Sequence, residues 1–305
     1  MFQGKPSRHA CFNTNSATHY SSCRSQEAEG DSPPSLPNSG TPCGYWSYPT
    51  PDFAGSHVCG HGTHVAGIAA GRSTQVPYAG TLSGMAPDAN LMTINVMSRH
   101  RTSLLTALAY PKDIEKALEY VLQTRISTFY SDITVNMSLA GLLHSTSSFP
   151  GTCDSYHPVL ANLVGDLHWR DVGVVVSTGN EGIRGGIGYP ACISNTVKVG
   201  ASDKSTGAVT SFTNMYSPLF YKGQFFLAPG TSIHSSRPTG LYGDSSGTSM
   251  AAPHVTGAMA LVKAMVLGAT VVNVTDFLAA VYSISTSVPL SPGNVTHLPR
   301  LRFFY

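Results

Sequence analysis

The stretch Gly247-Thr248-Ser249-Met250-Ala251-Ala252-Pro253-His254 decides how this chain is interpreted. It leads into an apolar run, Val255 to Leu267, that predicts a buried helix. Ser249 would then lie at a helix N-terminus, beside unpaired backbone N–H groups and the positive end of the helix dipole. A developing oxyanion is stabilised at such a place, so Ser249 is a candidate nucleophile. The alternative is an ordinary N-cap serine, which this stretch alone does not exclude.

A second motif supplies a candidate general base. The chain reads His61-Gly62-Thr63-His64-Val65-Ala66-Gly67-Ile68-Ala69-Ala70-Gly71, which places a histidine just ahead of a helix of small residues. Glycine and alanine at this density let a helix pack closely against its neighbours. A helix start also holds a side chain rigidly, which suits a general base. The candidate is His61.

A third segment, Val174-Val175-Val176-Ser177-Thr178-Gly179-Asn180-Glu181-Gly182, predicts a buried strand that enters a tight turn. The turn presents Asn180 at the end of the strand. A side-chain amide N–H at a strand end can donate a hydrogen bond to an oxyanion. Asn180 is therefore a candidate for stabilising a reaction intermediate.

These three segments, in this order, resemble the subtilisin-like serine peptidases (the subtilases, peptidase S8), and the resemblance covers roughly Gly55 to the C-terminus. The resemblance implies a serine-type endopeptidase that works through an acyl-enzyme, with Ser249 as nucleophile, His61 as base and Asn180 as oxyanion donor. It places the remaining histidines of the two long motifs, His64 and His254, in structural positions.

From Gly55 onward, strand and helix patterns alternate. Strands are predicted at residues 91–96, 133–137, 173–177 and 196–199, and helices at 113–123 and 158–169. This alternation implies an α/β fold with a mainly parallel sheet covered on both faces, which is the three-layer arrangement that the resemblance also implies. We expect residues 55–305 to form one peptidase domain. Residues 1–54, rich in Ser, Pro, Asn and Gly, predict an irregular or disordered segment.

The third catalytic residue of the family is an Asp at the end of an apolar first strand, some tens of residues before the base. The first 50 residues of this chain hold no run of four apolar residues. Asp31 has a suitable separation from His61, but Pro33-Pro34 follows it, which is typical of a loop. Asp31 is the candidate acid that remains, because Asp52 lies too near His61 in a Pro-rich stretch.

Three interpretations of this gap stay open. The first 54 residues are a gene-model artefact, so that the strand and its Asp are not represented. Alternatively, the N-terminus is genuine and an unusual acid such as Asp31 serves. In the third interpretation the chain is a catalytically degenerate subtilase that binds peptides without cutting them.

The resemblance also suggests where a substrate binds. Asn136-Met137-Ser138-Leu139-Ala140-Gly141 is similar to the family strand that lines the specificity pocket and pairs with an extended substrate. The alternative for Ser138, Leu139 and Ala140 is a purely structural role in the core. Gly188-Tyr189-Pro190-Ala191 is similar to the segment that closes the pocket, with Tyr189-Pro190 as a candidate cis bond. Because Gly188 leaves that end open, we expect a preference for large apolar side chains before the scissile bond.

Composition narrows the classes of partner. The chain has 18 Lys and Arg against 16 Asp and Glu, and it has no basic run that indicates nucleic-acid binding. The N-terminal 20 residues show no signal-peptide core, and no apolar window is long enough for a membrane span. We expect a monomer that acts on protein or peptide substrates, and family resemblance implies secretion.

Six cysteines permit disulfides, and the pair expected is Cys153 with Cys192, since both fall in loops of the α/β region. No cofactor is required by the proposed chemistry. Calcium is a structural ion of many subtilases, but no loop here matches a calcium site residue by residue. A zinc protein is the alternative from another class, because His57, Cys59, His61 and His64 are a close set of zinc-ligand types. Zinc would, however, leave Ser249 and Asn180 without a role.

Overall fold

The computed structural model describes residues 7–12, 16–17, 19–20, 57–77, 79–100, 107–128, 132–141, 149–216, 225–291 and 294–301. In these ranges the helices are α1 His57–Ala70, α2 Pro111–Ser127, α3 Pro158–Trp169, α4 Thr248–Met265 and α5 Val271–Val281, with a short 3-10 helix at Pro238–Gly240. The strands are β1 Ser7–Cys11, β2 His19–Tyr20, β3 Thr74–Val76, β4 Gly80–Leu82, β5 Leu91–Asn95, β6 Met97–His100, β7 Ala107–Ala109, β8 Thr134–Met137, β9 Gly173–Ser177, β10 Thr196–Ser202, β11 Phe225–Pro229, β12 Ile233–Ser236, β13 Tyr242–Ser245, β14 Ser283–Ser291 and β15 Asn294–Leu301.

The main sheet has six strands in the order β14-β15-β11-β10-β9-β8. From β15 to β8 all neighbours are parallel, and β14 closes one edge as the antiparallel partner of β15. Strand β9 is central to the site because Val174 pairs with Val135 of β8 on one side and with Thr196 of β10 on the other. The carboxyl ends of these parallel strands meet at one edge, where α/β proteins place their sites.

Both faces of this sheet are covered, as the uninterrupted apolar run of β9 requires. Val174 and Val176 belong to a buried cluster on the face of α2 and α3. Val175, which points to the opposite face, belongs to a second buried cluster with α4 and α5. Burying each such side chain contributes about 1.5–3 kcal/mol to folding. The three-layer α/β arrangement predicted from the sequence is therefore confirmed.

The predicted elements are found close to their expected bounds. Helix α3 and strand β9 begin and end at the predicted residues, whereas β10 continues three residues beyond the predicted Val199. The disulfide joins Cys153 to Cys192, as expected, with a Cα–Cα distance of 5.3 Å. The Tyr189-Pro190 peptide bond is cis, as expected. None of the helices in the described ranges has the length and apolar character needed to cross a membrane.

The N-terminal segment differs from the prediction. Residues 7–11 form β1, which pairs in parallel with β5, and Phe12 N donates to Asn95 O at 2.8 Å. Ala10 and Cys11 are buried, and Cys11 is disulfide-bonded. The expectation of irregular structure is wrong for residues 7–11, because pairing with β5 stabilises a strand whose own sequence is too polar to predict it. Strand β1 contains no Asp, so the expectation that the strand with the catalytic Asp is missing stays a prediction. The boundary at residues 54–55 stays a prediction.

Candidate active site

His61 lies in the second turn of α1 and is half-buried. The helix is fixed against the hairpin of β12 and β13: Ser235 Oγ donates to His64 O at 2.8 Å and Ser236 Oγ to Thr63 O at 3.0 Å. A Cβ atom on Gly67 would come within 2.3 Å of Ser235 Oγ, so this approach requires glycine. The small residues of the motif therefore let α1, the helix that carries His61, pack directly against this hairpin.

The histidines of the two motifs have different surroundings. His64 is buried and its Nε2 donates to Gly243 O at 2.9 Å, while His254 Nδ1 donates to Met250 O at 2.9 Å within α4. His61 has no hydrogen-bond partner among the described residues. Burial, and to a smaller extent the nearby His64, lowers the pKa of His61 to about 4. His61 is thus a neutral imidazole at pH 7.

Ser249 is the second residue of α4, and the proline of its motif explains one of its contacts. In a regular helix the N–H four residues later would bond Ser249 O, but that residue is Pro253, which has no N–H. Ser138 supplies the missing donor, since its Oγ donates to Ser249 O at 2.7 Å. Ser249 Oγ in turn donates to Ser138 O at 3.4 Å. The end of β8 therefore holds the serine from both its backbone and its side chain.

This reciprocal contact gives a stability prediction. Ser138→Ala removes the donor to Ser249 O and the acceptor of Asn136 Nδ2, and Ser138 is only 8% exposed. We expect the free energy of unfolding to fall by about 1–3 kcal/mol, the usual cost of a buried polar group left without a partner. Urea unfolding at pH 7 measures it. Ser138→Thr keeps the hydroxyl and is the control; equal stability of S138A and the parent chain would contradict the assignment.

Asn180 follows β9 and faces the start of α4. Thr248 N donates to Asn180 Oδ1 at 2.8 Å, and Thr248 Oγ1 lies 3.0 Å from the same oxygen. A backbone N–H can only donate, so the atom facing it is the amide oxygen and Nδ2 points elsewhere. Within the described part of the chain, neither Asn180 Nδ2 nor Ser249 N has an acceptor, so both donors are available to a bound group.

The turn that presents Asn180 is held by a residue that the sequence did not reveal. Asn214 is fully buried, and its Oδ1 accepts hydrogen bonds from Glu181 N at 3.1 Å and Ile183 N at 2.9 Å. Its Nδ2 donates to the Glu181 carboxylate, and its backbone N donates to Gly179 O at 3.2 Å. Gly179 has φ of 105°, and a Cβ there would meet Asn214 Nδ2 at 2.4 Å. Asn214 therefore fixes the turn, more than 30 residues away in sequence.

The three candidates converge on one cavity of about 450 Å³. Its lining residues are Gly60, His61, Asn180, Arg237, Asp244, Ser245, Ser246, Ser249 and Met250. Between the two described residues His61 and Ser249 there is no hydrogen bond. Asp244 is the only carboxylate in this lining, and its Oδ1 is paired with His234 Nδ1 at 2.6 Å instead of with His61. Arg237 and Asp244, which form one wall of the cavity, lie in none of the motifs found in the sequence.

The two candidate acids, and the side chains of two of the four candidate zinc ligands, lie outside the part of the chain that the structure describes. Asp31 and Asp52 lie outside the described residues, as do the side chains of His57 and Cys59. In the described part of the chain no carboxylate bonds the His61 ring. No group of three His, Cys, Asp or Glu side chains there could hold a metal ion.

The predicted substrate segments face each other beside Ser249. Residues 138–140 follow directly after β8, and Gly141 N donates to Tyr189 O at 2.9 Å. A Cβ on Gly188 would lie 3.8 Å from Ala140 Cβ and 3.4 Å from Thr178 O, which is ordinary contact. A side chain at position 188 would therefore lie between Ala140 and Thr178.

Among the described acidic residues, Asp203 accepts the largest number of hydrogen bonds. Asp203 Oδ1 accepts from Ser205 N, Thr206 N and Thr206 Oγ1, and its Oδ2 accepts from Thr231 Oγ1. These bonds lower the pKa of Asp203 to about 2. Because protein donors already engage both oxygens, this loop does not fit a calcium ion.

A family model and several curated proteins match this chain. The model of the subtilase family of peptidases (peptidase S8) matches residues 38–281. Subtilisin NAT of Bacillus subtilis subsp. natto is 34% identical over 205 residues, covering 66% of this chain and 45% of that protein. Subtilisin DY of Bacillus licheniformis is 32% identical, covering 67% and 63% respectively. The chain thus spans less than two thirds of the length of these relatives.

Solved structures show the same similarity. The S41 psychrophilic protease aligns with a TM-score of 0.58 at 29% identity, covering 74% of this chain and 71% of that one. Sphericase aligns with a TM-score of 0.58 at 28% identity, covering 72% and 68%.

Proposed function

This chain belongs to the subtilase family of peptidases (peptidase S8), and from that premise we propose that it is a serine endopeptidase that hydrolyses peptide bonds through an acyl-enzyme. The observation that carries the proposal is the convergence of His61, Asn180 and Ser249 on one cavity, with Ser249 at the N-terminus of α4. A nucleophile, a neutral base and two free N–H donors are the parts that acyl transfer needs.

The mechanism assigns each group one task. Ser249 Oγ leaves its weak contact with Ser138 O and attacks the peptide carbonyl, while His61 accepts the hydroxyl proton. Asn180 Nδ2 and Ser249 N donate to the oxyanion, which the dipole of α4 also stabilises. His61 then gives its proton to the leaving amine, and water attacks the acyl-enzyme by the reverse sequence.

The base is weak, and this limits the rate. A pKa of about 4 for His61 lies far below working pH, so proton transfer from Ser249 has a poor driving force. An acid at the far ring nitrogen would raise that pKa and hold the tautomer. We therefore propose a low turnover unless an acid outside the described residues, Asp31 among them, contacts His61.

The pH profile tests this state of His61. Because the base must be neutral, kcat/KM should rise as pH increases through about 4 and stay flat from pH 5 to 8. Initial rates on a chromogenic peptide between pH 3.5 and 8 measure it, with circular dichroism as the check that the chain stays folded. An acid limb near pH 7 would instead show that a carboxylate supports the ring.

The proposed substrate is an extended peptide that lies along residues 138–140, with its side chain before the scissile bond facing Gly188. We propose a preference for large apolar side chains there, since Gly188 has no side chain to close that end of the pocket. Digestion of a denatured protein mixture, with the cleaved ends read by mass spectrometry, tests both hydrolysis and preference. The S249A chain is the control. Cleavage mainly after Lys or Asp would contradict the preference.

A second function, peptide binding without cleavage, is favoured by the same weak base and by the absence of a bond between Ser249 and His61. The digestion separates the two proposals. Peptides that are retained on the immobilised chain but recovered uncut, equally with and without Ser249, would support binding alone.

We propose protein or peptide substrates as partners, a monomer as the working form, and secretion as the destination. The Cys153–Cys192 disulfide and the bonded Cys11 support an oxidising compartment. No step of the mechanism uses a cofactor, and we propose no calcium site among the residues described.

A further inference from the structure

Arg237 is a charged residue of the candidate active site to which the proposed mechanism gives no task. It follows directly after β12 and lines the same cavity as His61 and Ser249. Its side chain is half-buried, and no described carboxylate lies within ion-pair distance of it. A guanidinium keeps its charge in proteins. The cavity therefore contains a positive charge that no described acid neutralises.

The Arg237 guanidinium is held in one position by β13 while part of it stays unused. Its Nη2 donates to Asp244 O at 2.7 Å and to Ser245 Oγ at 3.0 Å. Its Nη1 lies beside Gly60, where a Cβ would come within 3.5 Å of it, and has no acceptor among the described residues. A donor that is already fixed in place loses little freedom when it binds, so Nη1 is prepared for a ligand.

Asp244, the carboxylate in the lining of the cavity, does not serve Arg237. Its Oδ1 is paired with His234 Nδ1 at 2.6 Å. Side chains alternate along a strand, so Asp244 points to the opposite face of β13 from Gly243 and Ser245, the residues that the guanidinium contacts. A carboxylate for Nη1 would therefore have to come from a bound molecule.

The lining of the cavity indicates which part of a substrate Arg237 meets. The substrate residues before the scissile bond are proposed to lie along residues 138–140 and to face Gly188, and none of these residues lines the cavity. The cavity is lined instead by Ser249, His61 and Arg237. His61 gives its proton to the leaving amine, so the substrate residues after the scissile bond lie on the side of His61 and Arg237.

We propose that Arg237 is a specificity residue that binds a carboxylate of the leaving group, carried by the first or second residue after the scissile bond. The carboxylate belongs to an Asp or Glu side chain, or to the C-terminus of a substrate that ends there. A charge-assisted hydrogen bond from Nη1 is about twice as strong as a neutral one, which gives the acidic substrate its advantage. The proposal rests on the endopeptidase function proposed above and names a substrate class for it.

The test uses pairs of peptides that are identical before the scissile bond. Two pairs carry Glu or Gln at the first or the second position after it, and a third pair ends at the second position as a free acid or an amide. For the parent chain at pH 7 and low salt, we expect kcat/KM to be about tenfold higher for the carboxylate member of at least one pair. The pair that shows the difference identifies the source of the carboxylate.

Substitutions assign the preference to Arg237. Arg237→Gln removes the charge and should bring each ratio to about 1, whereas Arg237→Lys should retain part of the preference. Lys204→Gln is the matched control, because Lys204 is an exposed cation beside the same hairpin, donates to Ser232 O at 2.5 Å and does not line the cavity. Ratios near 1 in the parent chain, or a preference that persists in R237Q, would overturn the proposal.

Binding measurements separate this proposal from the proposed function. Dye-labelled forms of the same peptides are titrated onto S249A, which cannot form an acyl-enzyme, and fluorescence anisotropy gives Kd. If the parent chain cleaves neither member of a pair, about tenfold tighter binding of the carboxylate member to S249A, lost in S249A/R237Q, would support the carboxylate site while the peptidase function fails. Cleavage without a carboxylate preference would leave the function standing and overturn the site. Absence of both cleavage and selective binding would overturn both.

Discussion

Replacing Ser249 by alanine is expected to lower kcat/KM for peptide hydrolysis by about 10² to 10⁶, and the size of the loss distinguishes two states of the site. The reason is that catalytic residues acting as one unit are not additive. In subtilisin, from which these magnitudes are taken, loss of the serine costs about 10⁶ in turnover and loss of the acid alone about 10⁴. If no acid supports His61, most of that loss has already occurred and S249A removes only about a further 10².

The measurement is hydrolysis of a peptide substrate by the two chains under identical conditions. Ser246→Ala is the control, because Ser246 lines the same cavity and its Oγ accepts from Ser232 N at 2.8 Å without facing the reaction. A loss near 10⁶ would show that an acid contacts His61 from outside the described residues. Unchanged hydrolysis in S249A would contradict the nucleophile assignment altogether.

Placing an acid after the first strand is expected to raise activity by about 10² to 10⁴, the reverse of losing the family's acid. The structure supplies the reason: β1 ends at Cys11 beside β5, and the family places its Asp at the end of the first strand. The sequence continues Phe12-Asn13-Thr14, with no Asp or Glu before Glu27. Asn13 lies outside the described residues, so the prediction for Asn13→Asp rests on its position in the sequence.

Kinetics and pH dependence together test this variant. In N13D an added carboxylate near the ring would raise the pKa of His61 from about 4, so the acid limb of kcat/KM should move to higher pH as the plateau rises. Asn15→Asp adds the same charge two residues later, and Asn13→Gln changes shape without charge; neither should activate. An N13D chain that is folded and no more active than its parent would show that this position does not supply the missing acid.

Helices and strands were predictable where a short stretch of sequence has a clear hydrophobic pattern. Strand β9 is an unbroken apolar run and α3 has apolar residues at helical spacing, so both were located to the residue. Strand β1 was not predictable, because Ser7, Arg8 and His9 form a strand only through pairing with β5, more than 80 residues away. The sequence of a strand does not by itself show which distant strand it will pair with.

In the candidate site, too, some residues were predictable from the sequence and others were not. His61, Asn180 and Ser249 were found because each lies in a contiguous motif whose small residues and helix start are visible in sequence. Asn214, which clamps the Asn180 turn, comes from a distant loop with no motif of its own. The wall of Arg237 and Asp244 likewise depends on how the β12–β13 hairpin folds against α1.

The central claim is that folding assembles a nucleophile, a base and oxyanion donors around one cavity. Covalent labelling by a fluorophosphonate tests it directly, because the reagent modifies a serine only where a base and an oxyanion site activate the hydroxyl. Mass spectrometry should locate the label on Ser249, with slower labelling in H61A and N180A and none in S249A. A folded chain that stays unlabelled at pH 8, or that is labelled equally with and without His61, would contradict the account.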